Sequence, residues 1–322
     1  MKQFFSVQDV EGDLQALVAE ALALKADPYQ YQHVGKNKTL GLVFLNPSLR
    51  TRMSTQKAAA NLGMTVMVLN MDKEGWALET QDGIIMNGST VEHIREAAAV
   101  MGEYCDILGL RSFPKLKDRE EDYSEDFYTK FTQYAAVPVV SLESATRHPL
   151  QSLTDLITIT EHWQKVQRPK VVLAWAPHVK ALPQAVPNSF AEWMLTAQNQ
   201  GLVDFTIAHP EGYELKAEFM EGARVVHRLD EGLAGADFVY VKNWSSYEDY
   251  GAMPPVEGDW LLDPSKLAQT SGAKVMHCLP VRRNLELSAD ILDSTDSLVI
   301  QEASNRVWAA QVVLKQLLEK LS

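Results

Sequence analysis

Short apolar runs alternate along the chain with segments in which apolar residues recur at helical spacing. The run at 39–45 predicts a buried strand, and the segment that follows it, from Pro47 through Leu62, predicts a helix. Strands that alternate with helices are typical of a parallel sheet covered on both faces. The other predicted strands are 64–69, 105–110, 137–141, 170–175, 203–208, 224–226, 237–242, 274–277 and 297–300, and the other predicted helices are 9–24, 91–101, 126–135, 152–163, 185–198 and 304–321.

Two blocks of this alternation predict an α/β fold of two doubly wound parallel-sheet domains. The length of 322 residues fits two domains of roughly 150 residues each. We expect one domain at 1–147, a second at 148–303, and a C-terminal helix at 304–322 that packs back on the first domain. Because ligands of such sheets bind at the carboxyl ends of the strands, we expect the active site in the cleft between the domains.

The charge of the chain restricts the class of ligand. A formal net charge of -12 at pH 7 argues against nucleic acid, since a phosphate backbone would be repelled nearly everywhere. An anionic small substrate therefore needs a local cationic pocket. We find no signal sequence and no apolar run that could span a membrane, and two cysteines are too few for a disulfide framework. We expect a cytoplasmic protein with both thiols reduced.

A dense cluster of anion-binding groups follows the strand at 39–45 directly. Ser48, Arg50, Thr51 and Arg52 fall within five residues at the predicted start of a helix. Free backbone N–H groups, the helix dipole, two hydroxyls and two guanidinium groups can converge there, which predicts a phosphate site. The alternative is an ordinary N-capped helix with solvent-facing arginines. The density of the cluster favours the anion site.

Other polar side chains also stand just past predicted strands. Any one of them is equally consistent with a solvated surface group or a helix cap. Their shared position at strand carboxyl ends favours one joint site. These groups are Arg111, His148 to Gln151, His178, Lys242, Cys278 to Arg283 and Arg306.

The sequence implies neither a cofactor nor a metal. No Gly-x-Gly-x-x-Gly follows a predicted strand, so the sheets do not argue for a dinucleotide. The histidines and cysteines lack a recognisable ligand spacing. The polar segment 70–88, which carries Trp76, predicts a loop that is functional or flexible, because a loop of this length is uncommon inside a compact domain.

Four motifs carry a family resemblance that covers essentially the whole chain. Ser48-Leu-Arg-Thr-Arg52, His148-Pro-Leu-Gln151, His277-Cys-Leu-Pro280 and Glu302-Ala-Ser-Asn-Arg306 resemble, in order and spacing, the carbamoyl phosphate signatures of the aspartate and ornithine transcarbamylases. The extended forms His277-Cys-Leu-Pro-Val-Arg-Arg-Asn284 and Trp175-Ala-Pro-His178 resemble more specifically the N-acylornithine branch, and within it the succinylornithine members. The resemblance implies a homotrimeric carbamoyltransferase of arginine biosynthesis.

The resemblance also implies roles for the motif residues. The catalytic residues would be Arg50, His148, Cys278 and Arg306, with His148, Arg306 and Arg50 on the carbonyl oxygen that becomes an oxyanion. Trp76 would reach the phosphate from an adjacent subunit. The full expected carbamoyl phosphate site comprises Ser48, Leu49, Arg50, Thr51, Trp76, Arg111, His148, Gln151, Cys278, Leu279 and Arg306.

Cys278 admits two interpretations. A thiolate that attacks the carbonyl would give a carbamoyl-enzyme. Carbamoyl phosphate is already activated, however, and the sequence offers no clearly paired base, only the adjacent His277. We therefore prefer direct transfer, with Cys278 positioning the substrate.

The predicted acceptor site favours an N-acylated ornithine. The ornithine members recognise a free α-ammonium with an Asp and a Ser-Met-Gly turn, whereas this chain has Lys242 and no Ser-Met-Gly. A lysine there, joined by Arg282, would repel an ammonium and attract carboxylates. The alternative is that Lys242 merely ends a strand in solvent. Glu143 and His178 are candidates for binding or orienting the acceptor amine.

Two positions bear on the acyl group. Val91 stands where the acetyl branch is expected to carry an acidic residue and the succinyl branch a proline, so it would not repel a succinyl carboxylate. Glu286 stands where either branch is expected to carry a lysine or an apolar residue. We expect N-succinyl-L-ornithine first and N-acetyl-L-ornithine second as acceptor. The competing hypotheses are an ornithine carbamoyltransferase and a non-catalytic anion-sensing relative.

Overall fold

The structure is a computed structural model that describes residues 3–71 and 73–321. Met1, Lys2, Asp72 and Ser322 lie outside the described residues, so the outermost positions of the predicted domain 1–147, of the helix 304–322 and one position of the loop 70–88 are not described. Among the described residues, no helix combines the length and the apolar character that a membrane crossing requires.

The first half of the chain forms a parallel five-stranded sheet in the order β1-β7-β6-β2-β3. A separate pair of two-residue strands, β4 and β5, forms within and after the long loop. The strands are β1 (Gln3–Phe4), β2 (Thr39–Phe44), β3 (Thr65–Asn70), β4 (Leu78–Glu79), β5 (Glu92–His93), β6 (Ile107–Arg111) and β7 (Val139–Glu143).

The second half forms another parallel five-stranded sheet, in the order β10-β9-β8-β11-β12. The predicted α/β fold with two parallel sheets is therefore confirmed, whereas the boundary at 147/148 stays a prediction. The strands are β8 (Lys170–Trp175), β9 (Asp204–Ala208), β10 (Arg224–Val226), β11 (Phe238–Lys242) and β12 (Lys274–Met276).

Helices connect the strands of both sheets. The predicted helices all form, and the described residues contain four further short α-helices, one after β6 and three in the second half of the chain. The helices are α1 (Leu14–Ala26), α2 (Arg50–Asn61), α3 (Ile94–Tyr104), α4 (Arg119–Ser124), α5 (Asp126–Ala135), α6 (Pro149–His162), α7 (Ala185–Asn199), α8 (Leu229–Leu233), α9 (Pro264–Leu267), α10 (Ala289–Leu292) and α11 (Val299–Leu321).

The last helix packs back on the first half of the chain, as the sequence predicts. Helix α11 contacts α1, α2 and α6. The amide of Asn61 on α2 donates to Gln311 Oε1 at 2.8 Å, and both side chains are fully buried. A buried amide without a partner would cost about 1–3 kcal/mol. The packing of α2 on α11 is therefore favoured in the one arrangement that brings these two amides together.

The predicted strand at 297–300 is wrong. Ser297 makes only an isolated bridge to Val275, and α11 already begins at Val299. The N–H of Glu302 donates to the carbonyl of Leu298 at 2.8 Å, which is the spacing of a helix. A short apolar run cannot be distinguished from the buried first turn of a helix by periodicity alone, and here the helix starts five residues before the predicted 304.

Candidate active site

A cavity of about 530 Å³ lies at the carboxyl ends of the strands of both sheets. Its cationic side chains, Arg50, Arg111, Lys180, Lys242, Arg282 and Arg306, outnumber its two carboxylates, Glu143 and Glu286, although the whole chain is acidic. Such a lining is suited to anions. The remaining lining residues are Pro47, Ser48, Leu49, Thr51, Phe113, His148, Gln151, His178, Leu182, Pro183, Val186, Cys278, Leu279 and Pro280.

The start of α2 forms one wall of the cavity. The backbone N–H of Thr51 donates to Ser48 Oγ at 3.3 Å, so the serine satisfies one of the free donors of the first helical turn. The Thr51 hydroxyl accepts from Arg306 Nη2 at 2.7 Å and from Arg111 Nη1 at 3.3 Å. One hydroxyl thus holds two arginines, from β6 and α11, against the N-terminus of α2.

Arg52 does not take part in this site, so the prediction that it joins Arg50 is wrong. Its guanidinium donates to Asn70 Oδ1 and lies 4.9 Å from the ring centroid of Phe44. Residues two apart on a helix point to different sides, so Arg50 and Arg52 cannot both face one anion. Arg50 lines the cavity.

Arg111 and Arg306 keep unused donors beside the cavity. The Nε atoms of both arginines are buried and have no protein hydrogen-bond partner among the described residues. Buried donors of this kind almost always have a partner in a functional state. Two guanidinium groups with free donors next to a helix N-terminus can therefore bind a phosphate through charge-assisted bonds.

Glu143 lines the cavity beside Arg111, and its role in binding or orienting the acceptor stays a prediction. Its carboxylate is 2.8 Å from Arg111 Nη1 and 3.5 Å from His148 Nε2. The cause is strand register, because Glu143 on β7 stands opposite Arg111 on β6. Burial raises the pKa of Glu143, while the charges of Arg111 and Arg306 act in the opposite direction. The carboxylate balances part of the cationic charge of the pocket.

His148 is held as a neutral imidazole. Burial, together with Arg306, Arg111 and Arg50, lowers the pKa of its ring well below the usual value. A neutral ring can donate one hydrogen bond to a carbonyl oxygen without bringing a further positive charge into the pocket.

A buried network beneath the cavity orients Gln151. The Gln151 amide nitrogen donates to Asp155 Oδ1 at 2.7 Å and to Glu302 Oε1 at 3.0 Å, and its oxygen accepts from Arg306 Nη1. Burial raises the pKa of Asp155 to about 7 and that of Glu302 well above its ordinary value. This carboxylate pair was not predicted from the sequence; the i, i+4 spacing of Gln151 and Asp155 on one helix is the signal that could have indicated it.

Cys278 and Leu279 line the cavity from the turn after β12. Burial raises the pKa of the Cys278 thiol to about 11, although Lys242 acts in the opposite direction. The thiol is therefore protonated at neutral pH, which argues against a thiolate nucleophile. Leu279 has φ 54°, in the left-handed region, and is followed by a cis peptide bond to Pro280. Its backbone N–H donates to His277 Nδ1 at 2.9 Å.

The second domain supplies the opposite wall. Arg282 Nε donates to His178 Nε2 at 3.1 Å, while His178 Nδ1 contacts the carbonyl of Lys180 at 2.8 Å. Lys242, at the end of β11, is 8 % exposed and faces the same cavity. With Glu143, four of the five predicted acceptor residues thus line one cavity, and the interpretation of Lys242 as a solvent-exposed strand end is wrong.

Glu286 also lines this wall. Its carboxylate accepts from the backbone N–H of Arg282 at 2.7 Å and lies 3.6 Å from His277 Nε2. Burial disfavours the ionised form, but His277 and Lys242 lower the pKa of Glu286 below its ordinary value. A charged carboxylate therefore fixes the backbone from which the Arg282 side chain extends.

Trp76 and Val91 lie outside the cavity lining. They flank the paired strands β4 and β5, where the N–H of Val91 donates to the carbonyl of Ala77 at 3.0 Å. Trp76 is 52 % exposed and Val91 65 %. Trp76 Nε1 donates to Glu92 Oε2 at 2.9 Å. Within a single chain these two residues therefore do not reach the other predicted site residues.

Comparison with known proteins decides the family. Residues 2–161 match the carbamoyl-P binding domain of aspartate/ornithine carbamoyltransferases, and residues 186–317 match their Asp/Orn binding domain. The chain belongs to the aspartate/ornithine carbamoyltransferase family. Its membership makes it an enzyme of the transferase class and argues against the non-catalytic anion sensor.

Three relatives within the carbamoyltransferase family are informative. The N-succinylornithine carbamoyltransferase of Bacteroides thetaiotaomicron is 52 % identical over 323 residues, which cover 100 % of both chains. A structure of acetylornithine transcarbamylase complexed with acetylcitrulline superposes with a TM-score of 0.91 at 33 % identity, covering 98 % of this chain and 99 % of that one. A glutamate-to-valine mutant of N-acetyl-L-ornithine transcarbamylase, complexed with carbamyl phosphate and N-succinyl-L-norvaline, superposes with a TM-score of 0.90 at 34 % identity, covering 98 % and 100 %.

Proposed function

We propose that this carbamoyltransferase moves the carbamoyl group of carbamoyl phosphate to the side-chain amine of N-succinyl-L-ornithine. The observation that carries the proposal is the division of one cavity into a phosphate-binding wall, at the start of α2, and a second cationic wall around Lys242 and Arg282. Both walls attract anions, so both substrates are expected to carry carboxylate or phosphate groups.

The donor would bind against the first wall. Ser48, Arg50, Thr51 and Arg111 would hold the phosphate, with the backbone N–H groups of the first helical turn. His148, Arg306 and Arg50 would donate to the carbamoyl oxygen, and Gln151 and Leu279 would contact the carbamoyl amide. The fixed orientation of Gln151 by two buried carboxyl groups and Arg306 supports this role.

Direct transfer accounts for the chemistry. The acceptor nitrogen forms a bond to the carbonyl carbon while the bond from that carbon to the phosphate oxygen breaks, and the phosphate departs with the electron pair. The proton lost by the amine passes to the phosphate. Donors fixed on the developing oxyanion are typically worth about 3–4 kcal/mol each. The protonated thiol of Cys278 supports a positioning role for that residue.

The charge of the second wall selects the form of the acceptor. A free α-ammonium beside Lys242 and Arg282 would be repelled by two cations, whereas an amide nitrogen carries no charge. The α-carboxylate and a succinyl carboxylate can pair with these same cations. An N-acylated ornithine is therefore a better acceptor than free ornithine.

Two comparisons support succinyl over acetyl. The relative with 52 % identity is an N-succinylornithine carbamoyltransferase, whereas the acetylornithine enzyme is 33 % identical. The family resemblance places an acidic residue of the acetyl branch at Val91, and a glutamate-to-valine mutant of the N-acetyl enzyme is complexed with N-succinyl-L-norvaline. An apolar Val91 removes a negative charge that would repel the succinyl carboxylate.

The same loop supports a homotrimer. Trp76 and Val91 are exposed, as are Ile84, Ile85 and Met86. We propose that this loop is donated to an adjacent subunit, so that Trp76 contacts the phosphate and Val91 the acyl group there. Exposed apolar side chains concentrated on one loop are typical of an interaction surface. Cytoplasmic location and a place in arginine biosynthesis complete the proposal, and the two unpaired cysteines agree with a reducing compartment.

Phosphate release measured with three acceptors tests the proposal. N-succinyl-, N-acetyl- and free L-ornithine are each supplied with carbamoyl phosphate. We expect kcat/KM to fall in that order. Preference for free ornithine would show that the interpretation of the second wall is wrong.

A further inference from the structure

We propose that His209, His227 and Glu214 form a binding site for one divalent transition-metal ion of the zinc class, in the second domain and outside the active-site cavity. One ligand atom from each of the three residues lies within 4.8 Å of the others. Two imidazoles and a carboxylate are the donor set that Zn²⁺ accepts when a water molecule completes its coordination.

Strand register brings the two histidines together. Ala208 on β9 stands opposite Val226 on β10, so the next residue of each strand, His209 and His227, lies at the same edge of the sheet. The turn that follows His209 returns Glu214 to this edge. The sequence has no metal-ligand spacing because the two histidines are neighbours in space and not along one helix or turn.

The ring nitrogens are oriented as in metal sites. His209 Nδ1 lies 2.8 Å from the Pro210 carbonyl and His227 Nδ1 lies 3.2 Å from the His209 carbonyl. A carbonyl can only accept, so each Nδ1 carries the proton and each Nε2 keeps its lone pair. A ligand histidine that donates its other N–H to a backbone carbonyl is the usual arrangement at bound metals.

His209 presents an unused acceptor. Its side chain is fully buried, and its Nε2 has no protein hydrogen-bond partner among the described residues. A buried polar atom without a partner is rare and calls for an explanation, which a metal ion would provide. The alternative is an edge-to-face pair of rings, whose centroids lie 5.0 Å apart at 84°. That pair explains the contact of the two rings but leaves the lone pair of His209 Nε2 without a partner.

Only small side-chain movements are needed to bring the three ligand atoms to metal-binding distances. Zinc-to-nitrogen bonds of about 2.0–2.1 Å place tetrahedral ligands about 3.4 Å apart. His227 is exposed and Glu214 is half-buried, so both side chains can approach the fixed His209. One Glu214 oxygen accepts from the Gly212 N–H at 3.3 Å, which leaves the other for the metal.

A metal ion at this site would stabilise the wall of the cavity that contains Lys242. Tyr213, next to Glu214, lies 4.6 Å from the ring of Trp175, and its carbonyl accepts from Trp244 Nε1 at 2.7 Å. Trp244 is two residues beyond Lys242. The ion would thus hold the turn that supports the end of β11, and its expected effect is on stability and not on the chemical step.

Zinc titration of the purified full-length protein tests the site. The protein is stripped with a chelator and titrated with Zn²⁺ by calorimetry, and bound metal is measured by mass spectrometry. We expect one ion per chain and a higher melting temperature with zinc. His227→Ala and Glu214→Gln should each weaken binding by at least about 100-fold, since even outer-shell partners contribute 10–100-fold.

Matched controls separate this site from incidental binding. His33→Ala, at an exposed histidine elsewhere, should leave zinc affinity unchanged. Both test variants change side chains that are not buried, and circular dichroism checks that they fold. In the wild type, Co²⁺ should give the absorption bands of tetrahedral coordination, which His227→Ala should lose. Zinc affinity that is equal in wild type and both variants, or no stoichiometric binding by the wild type, would overturn the proposal.

Discussion

Arg111 Nη1 lies 2.8 Å from the carboxylate of Glu143, and both side chains are almost completely buried at the edge of the first sheet. The two residues stand opposite each other on β6 and β7, so the pair is fixed by strand register. It brings a negative charge into a pocket that we assign to the phosphate of the donor. The pair therefore stabilises the pocket before substrate arrives.

Replacing Glu143 should make the stability of the folded chain depend more strongly on bound phosphate. Glu143→Gln leaves Arg111 buried without its counter-ion, which typically costs about 3–5 kcal/mol of unfolding free energy. Phosphate or carbamoyl phosphate should restore part of that loss, so the ligand-induced rise in melting temperature should be larger than in wild type. Glu248→Gln, at the exposed partner of Arg119, is the matched control and should cost no more than about 1 kcal/mol. An equal ligand-induced rise in wild type and Glu143→Gln would contradict this account.

Replacing Arg50 and replacing Arg52, both in the first turn of α2, should have very different effects on turnover. Arg50 lines the cavity, so Arg50→Ala should lower kcat by about 10³-fold or more while the melting temperature stays close to wild type. Arg52→Ala, on the same helix but bonded to Asn70, should retain most of the activity. Steady-state kinetics on both variants provide the comparison. An active Arg50→Ala enzyme would show that the centre of the site is misassigned.

Cys278 should be dispensable as a nucleophile. Burial raises the pKa of its thiol to about 11, so the thiolate is scarce at neutral pH. Cys278→Ser should keep measurable turnover, and initial-rate patterns should be sequential. Alkylation of the thiol in the wild type should accelerate as pH rises toward 11 and should slow in the presence of carbamoyl phosphate. Ping-pong kinetics or a trapped carbamoyl-cysteine would favour the covalent route.

The buried pair of Asp155 and Glu302 should give a pH-dependent stability. The pKa of Asp155 is about 7 in the folded chain, whereas an unfolded Asp has a pKa of about 3.9. Between these values the unfolded state binds fewer protons, so the contribution of this carboxyl to stability is lost as pH rises. Asp155→Asn should therefore gain stability relative to wild type on going from about pH 4 to about pH 8.

Denaturant unfolding at both pH values measures that difference. Asp290→Asn, at an exposed carboxylate, should track the wild type across the range. If Asp155→Asn also tracks the wild type, Asp155 does not hold the proton.

The fold followed closely from the sequence because parallel strands buried on both faces are continuous apolar runs, and β2, β6 and β11 are of this kind. The error at 297–300 arose where an apolar run was the first turn of a helix. Most of the residues that line the cavity could also be predicted, since strand carboxyl ends meet at one edge. Arg52 was misassigned because the linear cluster was read without the direction of each side chain on the helix.

Long-range partners were beyond sequence reasoning. Thr51 and Arg306 are separated by 255 positions, and their hydrogen bond depends on how α11 packs on α2. The pairing of Glu143 with Arg111 depends on β6–β7 register, and the meeting of His209 and His227 depends on β9–β10 register. None of these relations has a local signature. These contacts can be predicted only when the strand register and the helix packing are known.

A competition assay shows directly which acceptor the enzyme prefers. N-succinyl- and free L-ornithine are offered together with limiting carbamoyl phosphate, and the two citrulline products are separated and quantified. We expect N-succinylcitrulline to be the main product, and Lys242→Ala to reduce this preference. Citrulline as the main product of the wild-type enzyme would contradict this expectation.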